Sequence, residues 1–113
     1  MDIFCKIIKK EINAEIVDED QNWLAFKDMH PQAPVHILIV PKKHIEGIES
    51  VSEEDGEILG EIILAVKRIA RKAGMSGDGY RLIINQGDHG GQVVQHLHFH
   101  LLGGKKLGPK VVN

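Results

Sequence analysis

The chain has a single cysteine, Cys5, among 113 residues. No internal disulfide can form, and nothing in the cysteine usage argues for export. No apolar run reaches the roughly 18–20 residues that cross a bilayer, so no membrane partner is expected. The opening stretch, MDIFCKIIKKE, sets acidic and basic residues within its apolar part, unlike a secretory leader. Charge of one sign is also lacking. Lys and Arg number 14 against 16 Asp and Glu, giving a formal net charge of −2, which offers nucleic acid no broad basic field. There is no repeat, low-complexity tract or obvious linker. With 42% hydrophobic and 27% charged residues, the composition is that of an ordinary globular protein. The length suits one domain over residues 1–113, and a cytoplasmic location is expected.

What is present divides into clear segments. IFCKIIKKEI spaces Ile3, Ile7 and Ile8 as on one helical face, predicting a short amphipathic helix. NWLAFKD separates Trp23 from Leu24 and Phe26 in a period-two pattern, predicting a strand. MHPQAP holds two prolines within four residues and predicts a turn. VHILIVP is rich in β-branched residues and predicts a well-buried strand ending at Pro41. The longest element is a helix from about Glu53 to Ala73. Ser52 and Asp55 have the spacing of a capping box. Acidic residues crowd its first turns and basic residues its last, as the helix dipole favours, and these runs read as solvated helix surface. Ile58, Leu59, Ile62, Ile63, Val66 and Ile69 form the predicted apolar stripe, with Gly74 placed to end it. YRLIINQG predicts a strand, GDHGGQ a glycine-rich loop, and HLHFHLLGG a last strand before the tail KKLGPKVVN. Strands, one long helix and no regular βαβ alternation predict an α+β domain with a largely antiparallel sheet.

The stretch QHLHFHLL puts His96, His98 and His100 on alternate positions. In a strand these side chains share one face, while Leu97, Phe99 and Leu101 take the other. A solvent-facing strand would more commonly carry Lys, Glu, Thr or Ser. A metal site is a second reading, since His is a common ligand, with His36, His44 and His89 as further candidates. Against one shared ion, His96 and His100 start ~13 Å apart in a straight strand. Catalysis is the third reading. A neutral imidazole is a nucleophile and, titrating near neutrality, also a leaving group. The preceding glycines let backbone N–H groups approach an anion. A glycine loop feeding an alternating His strand suggests phosphorus chemistry.

At that point the chain resembles the histidine triad family, specifically its Hint branch of nucleoside phosphoramidases in bacterial form. The mark is His-x-His-x-His followed by two apolar residues, here His96-Leu97-His98-Phe99-His100-Leu101-Leu102. IFCKIIKKEI is similar to the branch's opening, LAFKDMHPQAPVHILIVPKKHI to its central block and INQGDHGGQ to its loop. The resemblance implies an α+β fold with a five-stranded antiparallel sheet, one long helix and a short N-terminal helix. Two subunits would join as a homodimer with a ten-stranded sheet. The implied activity is hydrolysis at the α-phosphorus of a purine nucleotide, with adenosine phosphoramidates and aminoacyl-adenylates as typical substrates and AMP as product.

By resemblance, His98 is the nucleophile that forms a nucleotidyl-histidine. His96 and His100 contact phosphate oxygens or fix the network around His98, and His36 is a fourth active-site histidine. Asp28 takes the ribose hydroxyls, where the residues alone suggest a turn former before Pro31. Asn85 falls beside the phosphate, where the residues alone suggest a strand-end turn, and Gly91, Val93 and Val94 join the nucleotide-binding set. Ile3, Phe4, Phe26 and Met29 form the purine pocket, though apolar residues at those positions also suit a core. His44 is read as structural. Many relatives carry Ser at the position of Val93, which cannot donate a proton to a leaving nitrogen. Some bacterial relatives hold zinc through a Cys-x-x-Cys pair near the start. Here Asp2 stands at the first of those positions, so no metal and no cofactor are expected and Cys5 is read as a small buried residue. The short tail leaves open how the leaving group is recognised. A dinucleoside polyphosphate hydrolase, a nucleotide-binding scaffold and a metal-binding protein are the competing functions.

Overall fold

The structure, a computed structural model, describes residues 1–109. The tail's last residues, 110–113, and whatever they contribute to leaving-group recognition, lie outside the described residues. The chain runs α1 (Ile3–Ile8), β1 (Ile16–Glu19), β2 (Trp23–Lys27), β3 (Val35–Pro41), two single 3-10 turns, α2 (Gly56–Lys72), β4 (Arg81–Ile84) and β5 (Phe99–Gly103). The strands make one antiparallel sheet in the order β1-β2-β3-β5-β4.

The period-two strand pattern sorts the apolar residues between two layers. Trp23, Ala25, Ile37, Ile39, Phe99 and Leu101 pack under α2 with Ile62, Val66 and Ile69. Leu24, Phe26, Leu38 and Val40 face the other way and are covered by Phe4 and Ile7 of α1. Central strands β2 and β3 are therefore buried on both faces, which explains why VHILIVP reads as a near-continuous apolar run. The α1 layer is short, and the part of that sheet face it leaves open holds the site.

Three sequence expectations shift. In α1 the buried residues are Phe4 and Ile7, while Ile3 is 43% exposed. In the long helix, residues Glu53–Asp55 form a 3-10 turn before α2 begins. The Asp55 carboxylate reaches back to the Ser52 N–H at 3.0 Å and its hydroxyl at 3.2 Å, as the capping box predicts. The buried arc of α2 is Ile62, Ala65, Val66, Ile69 and Ala70. Ile63 is instead about half exposed, as is Leu64. The predicted stripe was wider than the sheet can cover, and the two alanines let the helix sit close. Gly74 ends the helix with a φ of 78°, a region that suits glycine.

The third shift concerns the histidines. β5 begins only at Phe99, so His96 and His98 precede the strand. Phe99 is the last residue paired with both neighbours, opposite Ile39 and Ile84. Two residues beyond Ile39 on β3 lies Pro41, which has no N–H to extend that ladder. Leu97 turns its N–H to the Ile45 carbonyl at 2.6 Å instead. The inward half of the alternation survives this departure, because Leu97, Phe99 and Leu101 all reach the α2 core.

Candidate active site

The open part of the α1 face is a cleft of about 450 Å³. His36, His98 and His100 line one part of it, and Ile3, Phe4, Phe26 and Met29 another. Asp28, Asn85, Gly91, Val93 and Val94 complete the predicted set. His36 and His100 meet because β3 and β5 pair Leu38 with His100 and His36 with Leu102, making the two histidines diagonal neighbours on one face.

Hydrogen-bond partners fix where each imidazole holds its proton. His98 Nδ1–H donates to the His96 backbone carbonyl at 2.7 Å, so Nε2 keeps its lone pair. The Gln32 N–H donates to His36 Nδ1 at 3.0 Å, so the neutral His36 ring carries its proton on Nε2. That proton is directed to His100 Nδ1 at 2.9 Å, with Asp28 Oδ2 a longer neighbour at 3.4 Å. His100 must then carry its own proton on Nε2. The cleft thus holds one imidazole with a free Nε2 lone pair, set directly by the His96 carbonyl, and one imidazole donor, set by the Gln32 N–H through the His36 ring.

Electrostatics keep the three rings neutral. Burial lowers His98 below the ordinary imidazole value, and the His96 carbonyl only partly opposes it. Burial also lowers His36, against a raising effect from Asp28. His100 is lowered to about 4, first by burial and then by the neighbouring His98 and His36. Burial disfavours a protonated ring in this desolvated row, which favours the neutral form of His98 with its Nε2 lone pair.

His96 does not line the cleft. Its side chain is fully buried, turned to the Pro41 carbonyl at 2.9 Å and to Asp2 at 3.2 Å. Phosphate contact, expected of it as one option, is therefore replaced by the other option, holding His98 through its backbone carbonyl. The reason is the early end of the strand, which lets residue 96 turn inward. The glycine loop also behaves differently from a free anion cradle. The N–H groups of Gly87, Gly91 and Gln92 bond within the loop or to the Gln92 side chain. Gly90 is required for steric reasons, since a β-carbon there would collide with the Gln86 backbone. Sequence reasoning missed Gln92, which is buried and ties Gly87, Glu46 and Val94 together. It also missed Gln32, Lys27 and His30 at the cleft. The only signal for Gln32 was its place in the proline turn four residues before His36. Asp28 does serve the turn, its Oδ1 accepting the His30 N–H at 2.8 Å. Cys5 is half-buried rather than buried, and its thiol lies 3.5 Å from both His44 and His96.

An antiparallel sheet with one imidazole lone pair beside one imidazole N–H donor, in an otherwise largely apolar cleft, defines a histidine-centred site. The HIT domain matches residues 9–107. Purine nucleoside phosphoramidase of Escherichia coli strain K12 is 49% identical over 111 residues, covering 98% of this chain and 93% of that protein. A HIT family hydrolase from Legionella pneumophila Philadelphia 1 superposes with a TM-score of 0.92 at 50% identity, covering 94% of this chain and 95% of that one. A HIT family hydrolase from Clostridium thermocellum gives 0.94 at 47% identity, covering 98% and 96%. The chain belongs to the HIT domain family, the histidine triad proteins.

Proposed function

We propose that the chain hydrolyses purine nucleoside phosphoramidates and aminoacyl-adenylates to AMP through a nucleotidyl-histidine on His98. The observation that carries this reading is the His98 ring itself. Its Nδ1–H is held by a backbone carbonyl, which leaves Nε2 as the nucleophile in the cleft. Nε2 attacks the α-phosphorus, an N–P bond forms, and the bond to the leaving group breaks. The electron pair departs with the leaving nitrogen, which takes up a proton, or with the carboxylate of an aminoacyl-adenylate. The substituted ring is cationic, so the His96 carbonyl stabilises it through the remaining N–H. That charge makes the imidazole a good leaving group when water attacks, and the lone pair then returns to Nε2. His100 Nε2–H is suited to a phosphate oxygen, where charge-assisted bonds are strongest.

Ile3 and Met29 are 43% and 73% exposed at the cleft. A flat purine laid there removes apolar surface from water and gives those residues a partner. Asp28 Oδ2 is the acceptor available for ribose hydroxyls. The exposed Ile63 and Leu64 on α2 and the edge position of β4 support a symmetric dimer with a continuous sheet. No helix among the described residues is long and apolar enough to cross a membrane, and a lone thiol suits the reducing cytoplasm.

Rapid alkaline quench of a reaction with an adenosine phosphoramidate, followed by peptide mass spectrometry, tests the reading. AMP is expected on His98, and His98→Ala is expected to lose both the adduct and turnover while remaining folded. Adduct on another residue, or substantial hydrolysis by His98→Ala, would overturn it. AMP release from a dinucleoside polyphosphate is measured alongside, and its preferential cleavage would change the substrate class.

A further inference from the structure

The cleft differs between its two sides. The base and ribose side is built from α1 and from the segment Phe26 to Met29. The other side is closed by the glycine loop, which runs from Gly91 past Val93 and Val94 toward His98. Val94 turns inward and packs against the cluster that holds Phe4 and Phe26. Val93 turns the opposite way, to the mouth of the cleft. At 87% it is more exposed than any other large apolar side chain among the described residues.

The proton donors at the cleft are committed elsewhere. His98 Nδ1–H goes to the His96 carbonyl at 2.7 Å, and His36 Nε2–H to His100 at 2.9 Å. His100 keeps a free Nε2–H. Burial and its two neighbouring histidines lower that ring to about 4, so it is neutral near neutral pH. A neutral imidazole N–H can hydrogen-bond a phosphate oxygen but is far too weak an acid to give its proton to a departing atom. Lys27 is paired with Glu15 at 2.6 Å, and its place between Phe26 and Asp28 sets it with the base and ribose. His30 lies in the same turn, its N–H tied to Asp28 at 2.8 Å and its carbonyl accepting from Gln32 at 3.2 Å. Asn85 offers an amide N–H, which does not ionise. The N–H groups of Gly91 and Gln92 bond within the loop. The loop's side chains toward the cleft are Val93 and Val94, and neither has a proton to give.

We propose that Val93 sets the choice of leaving group, so that the chain favours acyl-adenylates, which release a carboxylate, over phosphoramidates of basic alkylamines. The preference rests on the reading of His98 as nucleophile. With an acyl-adenylate, Nε2 bonds to phosphorus, the P–O bond to the acyl oxygen breaks, and the electron pair leaves on a carboxylate that is stable without a proton. With an alkylamine phosphoramidate, the P–N bond breaks and the pair leaves on nitrogen. That nitrogen must gain a proton as the bond breaks, because an amine anion does not survive in water. At Val93 the proton has to come from an unpositioned water, and lack of a positioned donor costs on the order of 10²–10⁴-fold.

The test varies the leaving group on one nucleotide. A series of adenosine phosphoramidates runs from alkylamines to anilines with electron-withdrawing groups, beside an aminoacyl-adenylate corrected for spontaneous hydrolysis. AMP release gives kcat/KM for each. In the natural chain kcat/KM should fall steeply as the leaving amine becomes more basic, with the alkylamine members on the order of a hundredfold below the aminoacyl-adenylate. Val93→Ser puts a hydroxyl at an exposed position and disturbs no core. It should flatten that dependence and raise the ratio of alkylamine to acyl-adenylate cleavage roughly tenfold, the effect of one added hydrogen bond. Val93→Ala removes the methyl groups, adds no donor, and should keep the steep dependence. A shallow dependence in the natural chain, or the same slope in Val93→Ser, would overturn the proposal while leaving the phosphoramidase reading intact. Absence of AMP from every member would instead sink that reading, and the preference with it.

Discussion

Replacing His36 with Leu tests whether His100 owes its proton position to a neighbour. The substitution removes the Nε2–H that faces His100 Nδ1 at 2.9 Å and the acceptor for Gln32. His100 is then free to place its proton on either nitrogen, and the donor aimed at phosphate is no longer assured. A hydrogen bond to a charged group contributes about 1.5–3 kcal/mol, and each 1.4 kcal/mol is about tenfold in rate. kcat/KM for an adenosine phosphoramidate should therefore fall roughly ten- to a hundredfold. A second readout separates this from loss of shape. His36 is one of the groups that hold His100 near 4, so an NMR titration should find His100 shifted up toward the ordinary imidazole value. The sign for stability follows. A lowered folded pKa means that the unfolded ring takes up protons first as pH falls, so the natural chain loses stability between about 6.5 and about 4. The variant should lose less over that window. His36→Gln, which offers an N–H in nearly the same place, should recover much of the rate. Unchanged kcat/KM together with an unchanged His100 titration in His36→Leu would refute the proton assignment.

Two further outcomes are expected. Asp28→Asn keeps the oxygen that accepts the His30 N–H and so should preserve the turn. It should raise KM for a ribonucleotide substrate roughly tenfold, from loss of a charge-assisted bond, and leave a 2′,3′-dideoxy analogue nearly unaffected. Equal losses on both would assign Asp28 to His36 instead of the ribose. Light scattering at micromolar protein should give the mass of a dimer, and Leu64→Glu on the exposed side of α2 should give that of a single chain; a natural chain of single-chain mass would contradict the assembly.

Local periodicity made much of this protein legible from sequence. The α2 segment declared itself through its cap, its charge polarity and Gly74, because these devices act within one or two turns. The β-branched run of β3 and the alternation through Leu97, Phe99 and Leu101 likewise report burial by a period-two rule that needs no partner. The nature of the cleft was readable for a related reason: apolar residues, an acid and histidines occur in motifs that a family resemblance can assign one by one.

Other features depended on contacts distant in sequence. Nothing in QHLHFHLL says that the strand starts at Phe99, since that is decided by Pro41 on β3 and by the Ile45 carbonyl. The consequence is that His96 leaves the row and enters the Asp2, Cys5 and His44 cluster, four groups drawn from three parts of the chain. The proton positions on His36, His98 and His100 are equally nonlocal, because an imidazole's tautomer follows from whatever faces each nitrogen. Here those partners are the Gln32 N–H, a neighbouring ring and the His96 carbonyl, and only the folded sheet brings the first two into line. The sequence by itself determined which residue types could do the chemistry and how its helices and strands would divide. Tertiary structure alone decided which imidazole nitrogen keeps its lone pair and which histidine is not in the cleft, because hydrogen bonds depend on ångström distances between segments that sequence order does not encode.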